Sequence, residues 1–176
     1  MINKTGIYTA VLTFLISTVL LIIYYFTNSP VIILIAPIFI AIAAILNIGI
    51  LFLLVIRVVN RKNKRKKHLK TSGLMLLNIS IALLYFKFAM FLINHMVITL
   101  VNNTGETLTD IKIIGGETKT IDRLGIGKKD IEWIYIVKDN SLSLEYKIDN
   151  EVRKEKVHGY TIGYSGKRIK YSIEKK

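Results

Sequence analysis

The stretch Leu92-Ile93-Asn94-His95-Met96-Val97-Ile98-Thr99-Leu100 divides the chain into two parts of different character. Before this point the sequence consists mainly of long apolar runs, whereas after it apolar and polar residues alternate with period two. Long apolar runs are typical of membrane helices, and alternation is typical of half-buried β-strands. Because no linker rich in Gly, Ser or Pro separates the two patterns, we predict a membrane domain over 1–94 joined directly to a β-domain over 95–176.

The distribution of charge supports this division. Residues 1–100 contain ten Lys and Arg and no Asp or Glu, while the remainder holds all twelve acidic residues of a chain whose formal net charge is +13. With a mean hydropathy of +0.45, this excludes a soluble enzyme, a disordered chain and a plain nucleic-acid-binding domain. The chain has no cysteine, which excludes disulfides and Cys-based metal sites.

Three apolar runs, at about 6–26, 31–59 and 74–94, are predicted to be transmembrane helices. A helix of about 20 residues covers the roughly 30 Å hydrocarbon core of a bilayer. The first run is longer than the apolar part of a signal peptide and ends in the aromatic residues Tyr24, Tyr25 and Phe26, so we interpret it as a retained helix. The short connection at 27–30 predicts an antiparallel hairpin of the first two helices.

The segment 60–73, between the second and third runs, is predicted to be a basic cytoplasmic loop. It contains no acid, and its candidates for contact with anionic lipid are Arg61, Lys62, Lys64, Arg65, Lys66 and Lys67. Because positive residues of short loops remain inside, we predict a cytoplasmic N-terminus and an extracytoplasmic (periplasmic-side) β-domain, in a cytoplasmic, or inner, membrane. The loop has no aromatic residue for base stacking, so we expect no nucleic-acid partner.

Lys87 is the residue of the membrane domain that most needs an explanation. A Lys at the bilayer centre costs about 2.5–3.5 kcal/mol, and Ser80, Lys87 and Asn94 recur at intervals of seven, on one helix face. Three alternatives are open: Lys87 extends toward the outer interface, points inward at Asn47 or at a backbone carbonyl freed by Pro37, or pairs with a carboxylate of another membrane protein. The last alternative makes Lys87, Ser80, Asn94 and Asn47 candidate assembly residues.

The alternating part of the chain predicts a small all-β domain. Its turn signals separate seven short strands, at 96–102, 108–114, 117–124, 130–137, 141–148, 152–162 and 168–174. Short strands at roughly this spacing favour an antiparallel sandwich, for which an immunoglobulin-like arrangement is our first choice. The strand at 130–137 is apolar on both faces and is predicted to be central. The expected core residues are Trp133, Leu142, Leu144, Tyr146, Ile169 and Tyr171.

The sequence offers no pattern for catalysis or cofactor binding. His68, His95 and His158 lack metal-ligand spacing, no serine lies in a nucleophile motif, and no Gly-rich loop precedes a predicted helix. We therefore expect no enzyme activity, no catalytic, cofactor or metal site and no small-molecule substrate.

Two turn-and-strand motifs of the β-domain, 101–105 (VNNTG) and 111–115 (IKIIG), together with Gly159-Tyr160, carry a resemblance to other proteins. The pattern resembles that of uncharacterised small bacterial membrane proteins with a few N-terminal spans. What the resemblance implies is a C-terminal extracytoplasmic β-domain and a bacterial envelope setting, with no activity or site attached.

The sequence as a whole favours a non-catalytic membrane protein that acts through protein–protein contacts. We expect an accessory or assembly subunit of an envelope complex, whose partners are other membrane proteins and, at the basic loop, anionic lipid. The alternative is a membrane-anchored immunity or resistance protein that binds a toxin at the outer face of the membrane. A transporter or enzyme subunit is disfavoured because the membrane half contains no acid.

Overall fold

The computed structural model describes residues 2–60, 64–136, 140–149, 151–161 and 166–175. These residues form three helices followed by seven strands: α1 Ile2–Thr27, α2 Pro30–Asn60, α3 Arg65–Asn94, β1 His95–Asn103, β2 Leu108–Ile114, β3 Lys119–Leu124, β4 Lys129–Tyr135, β5 Asn140–Ile148, β6 Glu151–Thr161 and β7 Arg168–Glu174. The chain divides into two compact units, Met1–Ala89 and Met90–Lys176, called here the helical unit and the β-unit. The last turn of α3 therefore belongs to the β-unit.

All three helices are long and apolar enough to cross a membrane. The expected loop at 60–73 is wrong in its second half, because α3 already begins at Arg65 and continues without a break into the apolar run. Lys and Arg are good helix formers, the segment from Arg65 to Leu74 has no proline, and its single glycine, Gly73, costs only about 1 kcal/mol. Arg61 and Lys62 lie outside the described residues.

The predicted hairpin between α1 and α2 forms through two complementary helix ends. Asn28 has a φ of 47°, and its N–H donates to the carbonyl of Tyr24 at 2.8 Å, which closes α1 with a left-handed residue. The carbonyl of Ser29 then accepts from the N–H of Ile32 at 3.1 Å, with Pro30 at the first position of α2.

Helices α1 and α3 run in the same direction, and α2 runs against them. Asn3 hydrogen-bonds His68, and further along both helices Thr18 hydrogen-bonds Tyr85. A glycine permits the close approach of α1, because a Cβ on Gly6 would lie only 3.0 Å from the side chain of Thr71. The start of α1 and the basic start of α3 consequently lie at the same end of the helical unit, as the predicted topology requires.

The β-unit consists of two sheets with strand orders β4-β1-β7 and β3-β2-β5-β6. Neighbouring strands are antiparallel except for β1 and β7, which pair in parallel. The expectation of a purely antiparallel domain is therefore wrong at this one pair. In an immunoglobulin constant domain the fifth strand pairs with the fourth, and the seventh with the sixth. Neither pairing occurs among the described residues, so the immunoglobulin-like arrangement is not confirmed.

The core of the β-unit lies between the two sheets. Leu142, Leu144 and Tyr146 are buried as predicted, while Ile169 and Tyr171 are partly buried against the same cluster. Alternation on β1 contributes a second buried row, made of Met96, Ile98 and Leu100.

Strand β4 departs from the prediction, because it is an edge strand rather than a central one. Its core contact is Ile134, which is fully buried, whereas Ile131 and Tyr135 are 51% and 42% exposed. Trp133 shares the outward side with them and is only half-buried, so it is not a core residue. One face of β4 therefore packs into the core, and the apolar residues of its other face lie at the surface.

Candidate functional site

The centre of the helical unit holds a polar network with one residue from each helix. The hydroxyl oxygen of Thr13 accepts from the side-chain amides of Asn47 at 3.3 Å and Asn78 at 2.9 Å, and it donates to the carbonyl of Thr9 at 2.8 Å. Asn47 also donates to the carbonyl of Ala43 at 2.8 Å. Within hydrocarbon every polar group must find a protein partner. The three residues supply partners to one another and so connect the three helices.

This network decides the role of Asn47. Its side chain is 3% exposed and already donates to Thr13 and Ala43, and its amide oxygen accepts from Asn78 at 3.3 Å. The alternative in which Lys87 points inward at Asn47 is therefore unsupported. Sequence reasoning missed Thr13, which is one of several hydroxyl residues at four-residue spacing on α1, namely Thr5, Thr9, Thr13 and Ser17. Each of them can satisfy its hydroxyl within the helix, so none stands out.

A cleft of about 200 Å³ lies beside the network. Its polar lining comes from Thr13, Ser17, Asn47, Asn78 and Tyr85. The hydroxyl of Tyr85 lies 2.9 Å from that of Thr18. The remaining walls are mostly apolar and include the ring of Phe14, Ala43, Ala44 and Ala82. Within the described lining, Tyr85 is the one titratable group, so the cleft has no set of groups for acid–base chemistry.

The opposite face of α3 carries the two polar residues that the sequence singled out. Ser80 and Lys87 are both exposed, two helical turns apart, and Ser80 donates only to the carbonyl of Leu76 in its own helix. Asn78 and Tyr85, each two residues earlier, face the other helices; at about 100° per residue this places Ser80 and Lys87 on the far side of α3. Exposed leucines, Leu76, Leu83 and Leu84, surround them.

Lys87 has no acidic partner in its own unit, because residues 1–100 contain no Asp or Glu. The ion pairs among the described residues all lie in the β-unit. Asn94, the third residue of the predicted set, is partly buried. It belongs to the β-unit, where its carbonyl accepts from the N–H of Ile136 at 3.0 Å.

The basic residues that open α3 point away from the helical unit. Lys64, Arg65, Lys66 and Lys67 are exposed, whereas the neighbouring His68 is buried, with its Nδ1 at 2.8 Å from the amide oxygen of Asn3. The first turn of α3 contains no acid, although the start of a helix favours negative charge. These cations therefore suit an anionic surface near the start of α3.

In the described part of the β-unit, one carboxylate is buried, that of Glu155, and it bridges the two sheets. Its two oxygens accept from the hydroxyls of Tyr146 at 3.1 Å and Tyr171 at 2.6 Å. Burial and the adjacent carboxylate raise the pKa of both tyrosines to about 12. Because neither hydroxyl loses its proton near neutral pH, this group is suited to holding sheets together. Among the described residues no cluster of three His, Asp or Glu could hold a metal ion.

Comparisons with known proteins add little to this geometry. No family model matches the chain, and no curated protein matches it. The solution NMR structure of a protein from Eubacterium rectale matches at 17% identity and a TM-score of 0.38, over 46% of this chain and 78% of that chain. A likeness at this level supports no argument about function.

Proposed function

We propose that this protein is a non-catalytic subunit of a bacterial membrane-protein complex, and that the exposed face of α3 at Ser80 and Lys87 contacts its partner. The observation that carries the proposal is the placement of Lys87 on the side of α3 opposite the polar network. A lysine that faces lipid costs about 2.5–3.5 kcal/mol. A carboxylate on a neighbouring helix would remove much of this cost and would penalise leaving the complex.

The internal organisation of the helical unit supports this assignment. Its three helices are already connected by Thr13, Asn47 and Asn78, and by the pairs Asn3–His68 and Thr18–Tyr85. Neither Ser80 nor Lys87 takes part in these contacts, so the fold of the unit does not require them. The partner would offer an acidic side chain and a hydrogen-bonding group about 10 Å apart, the rise of seven helical residues.

The proposed topology places the N-terminus and the basic start of α3 in the cytoplasm, and the β-unit outside. The shared end of α1 and α3 and the exposed cations Lys64, Arg65, Lys66 and Lys67 support it, because cytoplasmic leaflets are anionic. Anionic lipid is the proposed partner of these cations.

Purification from the native membrane in mild detergent tests the contact. Wild type, Lys87→Leu, Lys87→Arg and the control Lys70→Leu are compared; Lys70 is an exposed lysine of the same helix, outside the apolar run. We expect wild type, Lys70→Leu and Lys87→Arg to retain stoichiometric membrane-protein partners, and Lys87→Leu to lose them. A chain that purifies alone in every form would overturn the proposal and favour the membrane-anchored immunity protein, which stays alone until a toxin arrives.

A further inference from the structure

The outer face of the three-stranded sheet is a second surface with an unusual composition. It is defined by residues of β4, β1 and β7 that alternate with the core residues and so point away from the core. Strand pairing arranges them in three rows: Trp133, Val97 and Arg168; Ile131, Thr99 and Lys170; Lys129, Val101 and Ser172. One end of this face is aromatic and the other is basic.

The aromatic end begins in the last turn of α3. The ring of Phe91 lies 3.9 Å from that of His95 and 5.5 Å from that of Trp133, and His95 lies 5.3 Å from Tyr135. The backbone carbonyl of Phe91 is 2.7 Å from Nδ1 of His95, which fixes the imidazole in the cluster. Partly exposed Trp and Tyr rings beside the end of a membrane helix are typical of the bilayer interface.

The basic end surrounds an open depression. Lys128, Lys129 and Lys170 line it together with Thr99 and Val101. All three lysines are exposed, and none of them forms an ion pair with any described residue. Elsewhere in the β-unit four lysines do lie within 4.0 Å of a carboxylate: Lys119, Lys147, Lys154 and Lys175.

Acidic residues of the same three strands do not neutralise this end. Asp130 and Glu132 pair in register with Leu100 and Ile98, residues of the core row, and so lie on the opposite side of β4 from Lys129. Glu174, in register with Asn103, lies on the outer face two residues past Ser172, but it forms no ion pair with Lys128, Lys129 or Lys170. Three lysines thus face a single exposed carboxylate, and the net positive charge of this end favours an anionic ligand.

We propose that this outer face binds anionic lipid headgroups of the leaflet at which α3 ends. Aromatic rings beside lysines are the composition of a bilayer interface, while lysine is depleted from protein–protein interfaces. The β-unit follows a membrane-length helix with no linker, so headgroups are present at high effective concentration. The proposal does not depend on the contact made by Lys87.

Contact between the basic end and the headgroups requires a particular orientation of β1. From His95 to Val101, β1 covers about 20 Å at roughly 3.3 Å per residue, whereas one headgroup layer is only about 5–7 Å thick. The basic end therefore reaches the headgroups only if β1 runs along the membrane surface. A label near the basic end distinguishes that arrangement from a strand that runs away from the membrane.

The experiment uses the full chain in nanodiscs of phosphatidylcholine alone or with phosphatidylglycerol. The chain has no cysteine, so a nitroxide on Ser172→Cys reports the basic end, and one on Thr120→Cys, an exposed residue of β3, reports the other sheet. We expect phosphatidylglycerol to lower, several-fold, the accessibility of the Ser172→Cys label to a water-soluble nickel reagent, with no change at Thr120→Cys.

Two charge variants make the test specific. Lys128→Gln/Lys129→Gln/Lys170→Gln should abolish the protection, whereas Lys112→Gln/Lys154→Gln/Lys156→Gln, three exposed lysines of the other sheet, should leave it intact. Emission of Trp133, the single tryptophan of the chain, verifies that each variant is folded. Equal accessibility in both lipids, or equal loss in both variants, would overturn the proposal. Protection in native membranes but not in nanodiscs would also overturn it, in favour of a protein partner.

Discussion

The helical unit and the β-unit both bury polar side chains, but they bury different kinds. In the helical unit these residues carry amides, hydroxyls and one imidazole: Asn3, Thr13, Asn47, His68, Thr71 and Ser72. The β-unit also buries a carboxylate, Glu155. A charge inside a membrane is far more costly than one beside a water-exposed sheet edge. The comparison teaches that the surrounding solvent decides which polar groups a fold uses to connect its elements.

The same comparison predicts different costs for breaking the two kinds of network. Outside the membrane a broken hydrogen bond leaves a buried group that water would otherwise solvate, at roughly 1–3 kcal/mol. Inside the membrane the separated helices find other partners, and measured values average about 0.6 kcal/mol. Substitutions in the β-unit should therefore have the larger effects.

The largest effect is expected for Asn102→Ala. Asn102 is completely buried; its amide donates to the carbonyls of Glu106 and Leu124 at 2.7 and 2.9 Å, and its oxygen accepts from the N–H and hydroxyl of Thr104. Removing the side chain takes the partner away from the Leu124 carbonyl and the Thr104 N–H, while the Thr104 hydroxyl and the Glu106 carbonyl keep only their mutual bond at 3.1 Å. We therefore expect a loss of about 3 kcal/mol in the free energy of unfolding.

Thermal unfolding of the detergent-solubilised full chain, followed by Trp133 fluorescence, measures this loss. The neighbouring Asn103 is exposed at the end of β1, so Asn103→Ala is the matched control and should change little. Equal effects of the two substitutions would contradict the role assigned to Asn102.

A smaller loss is expected for Glu155→Leu. The substitution leaves the hydroxyls of Tyr146 and Tyr171 without their acceptor, which should cost about 2–3 kcal/mol. Glu155→Gln retains one carbonyl oxygen and should lose about half as much. Chemical denaturation of the full chain measures both values. If Gln were as destabilising as Leu, the charge rather than the hydrogen bonds would stabilise this bridge.

The strands were predictable because each has one buried and one exposed face, which gives an alternation of apolar and polar residues within the strand. Alternation located all seven strands, and Leu142, Leu144 and Tyr146 were correctly assigned to the core. Alternation does not record which strands pair across the chain, and so the parallel pair of β1 and β7 was missed. Strand β4 was wrongly predicted to be central for a similar reason: alternation does not show that the apolar face containing Trp133 lies at the surface rather than in the core.

The candidate site was predictable only where a residue contrasts with its surroundings. Lys87 stands out in an apolar run, and its seven-residue spacing from Ser80 correctly grouped the two on one face. Asn94 has the same spacing, but its backbone carbonyl accepts a hydrogen bond from Ile136, the residue after β4. Thr13 was not predictable, because its importance depends on two asparagines from helices distant in sequence.

Within the helical unit, Asn78→Leu should have a modest effect. Asn78 loses its bonds to Thr13 and Asn47, and we expect a loss of about 0.6 kcal/mol, with about 1.7 kcal/mol as the upper bound. Ser80→Leu, two residues later on the exposed face, is the control and should not destabilise the unit. Unfolding of the purified full chain in increasing denaturing detergent, followed by helical circular dichroism, measures both. A loss as large as that of Asn102→Ala would refute the comparison.

The smallest effect concerns pH, through the cluster of Glu106, Asp149 and Lys175 at the surface of the β-unit. The ammonium of Lys175, 2.8 Å from Glu106, lowers the pKa of Glu106, with a further contribution from its hydrogen bond to Asp149. The hydrogen bond and the negative charge of Glu106 raise the pKa of Asp149. The stability contributed by Glu106 is present above its unfolded pKa and is lost as pH falls through its lowered folded pKa. The contribution of Asp149 is present below its unfolded pKa and is lost as pH rises through its raised folded pKa, so the two oppose each other.

Asp149→Asn removes the second of these contributions, and the stability of the β-unit should then rise more steeply from acid to neutral pH than in wild type. Asn also tolerates the φ of 50° at this position. Any stability that Asn adds through the backbone is independent of pH, so the difference between the two pH profiles reports only the electrostatic contribution. The helical unit contains no carboxylate side chain and is identical in wild type and Asp149→Asn, so its own pH profile should be the same in both proteins. Unfolding of the full chain at acidic and neutral pH, read by Trp133 fluorescence for the β-unit and by helical circular dichroism for the helices, measures both at once. Parallel profiles for wild type and Asp149→Asn would show that the two carboxyl groups do not share a proton.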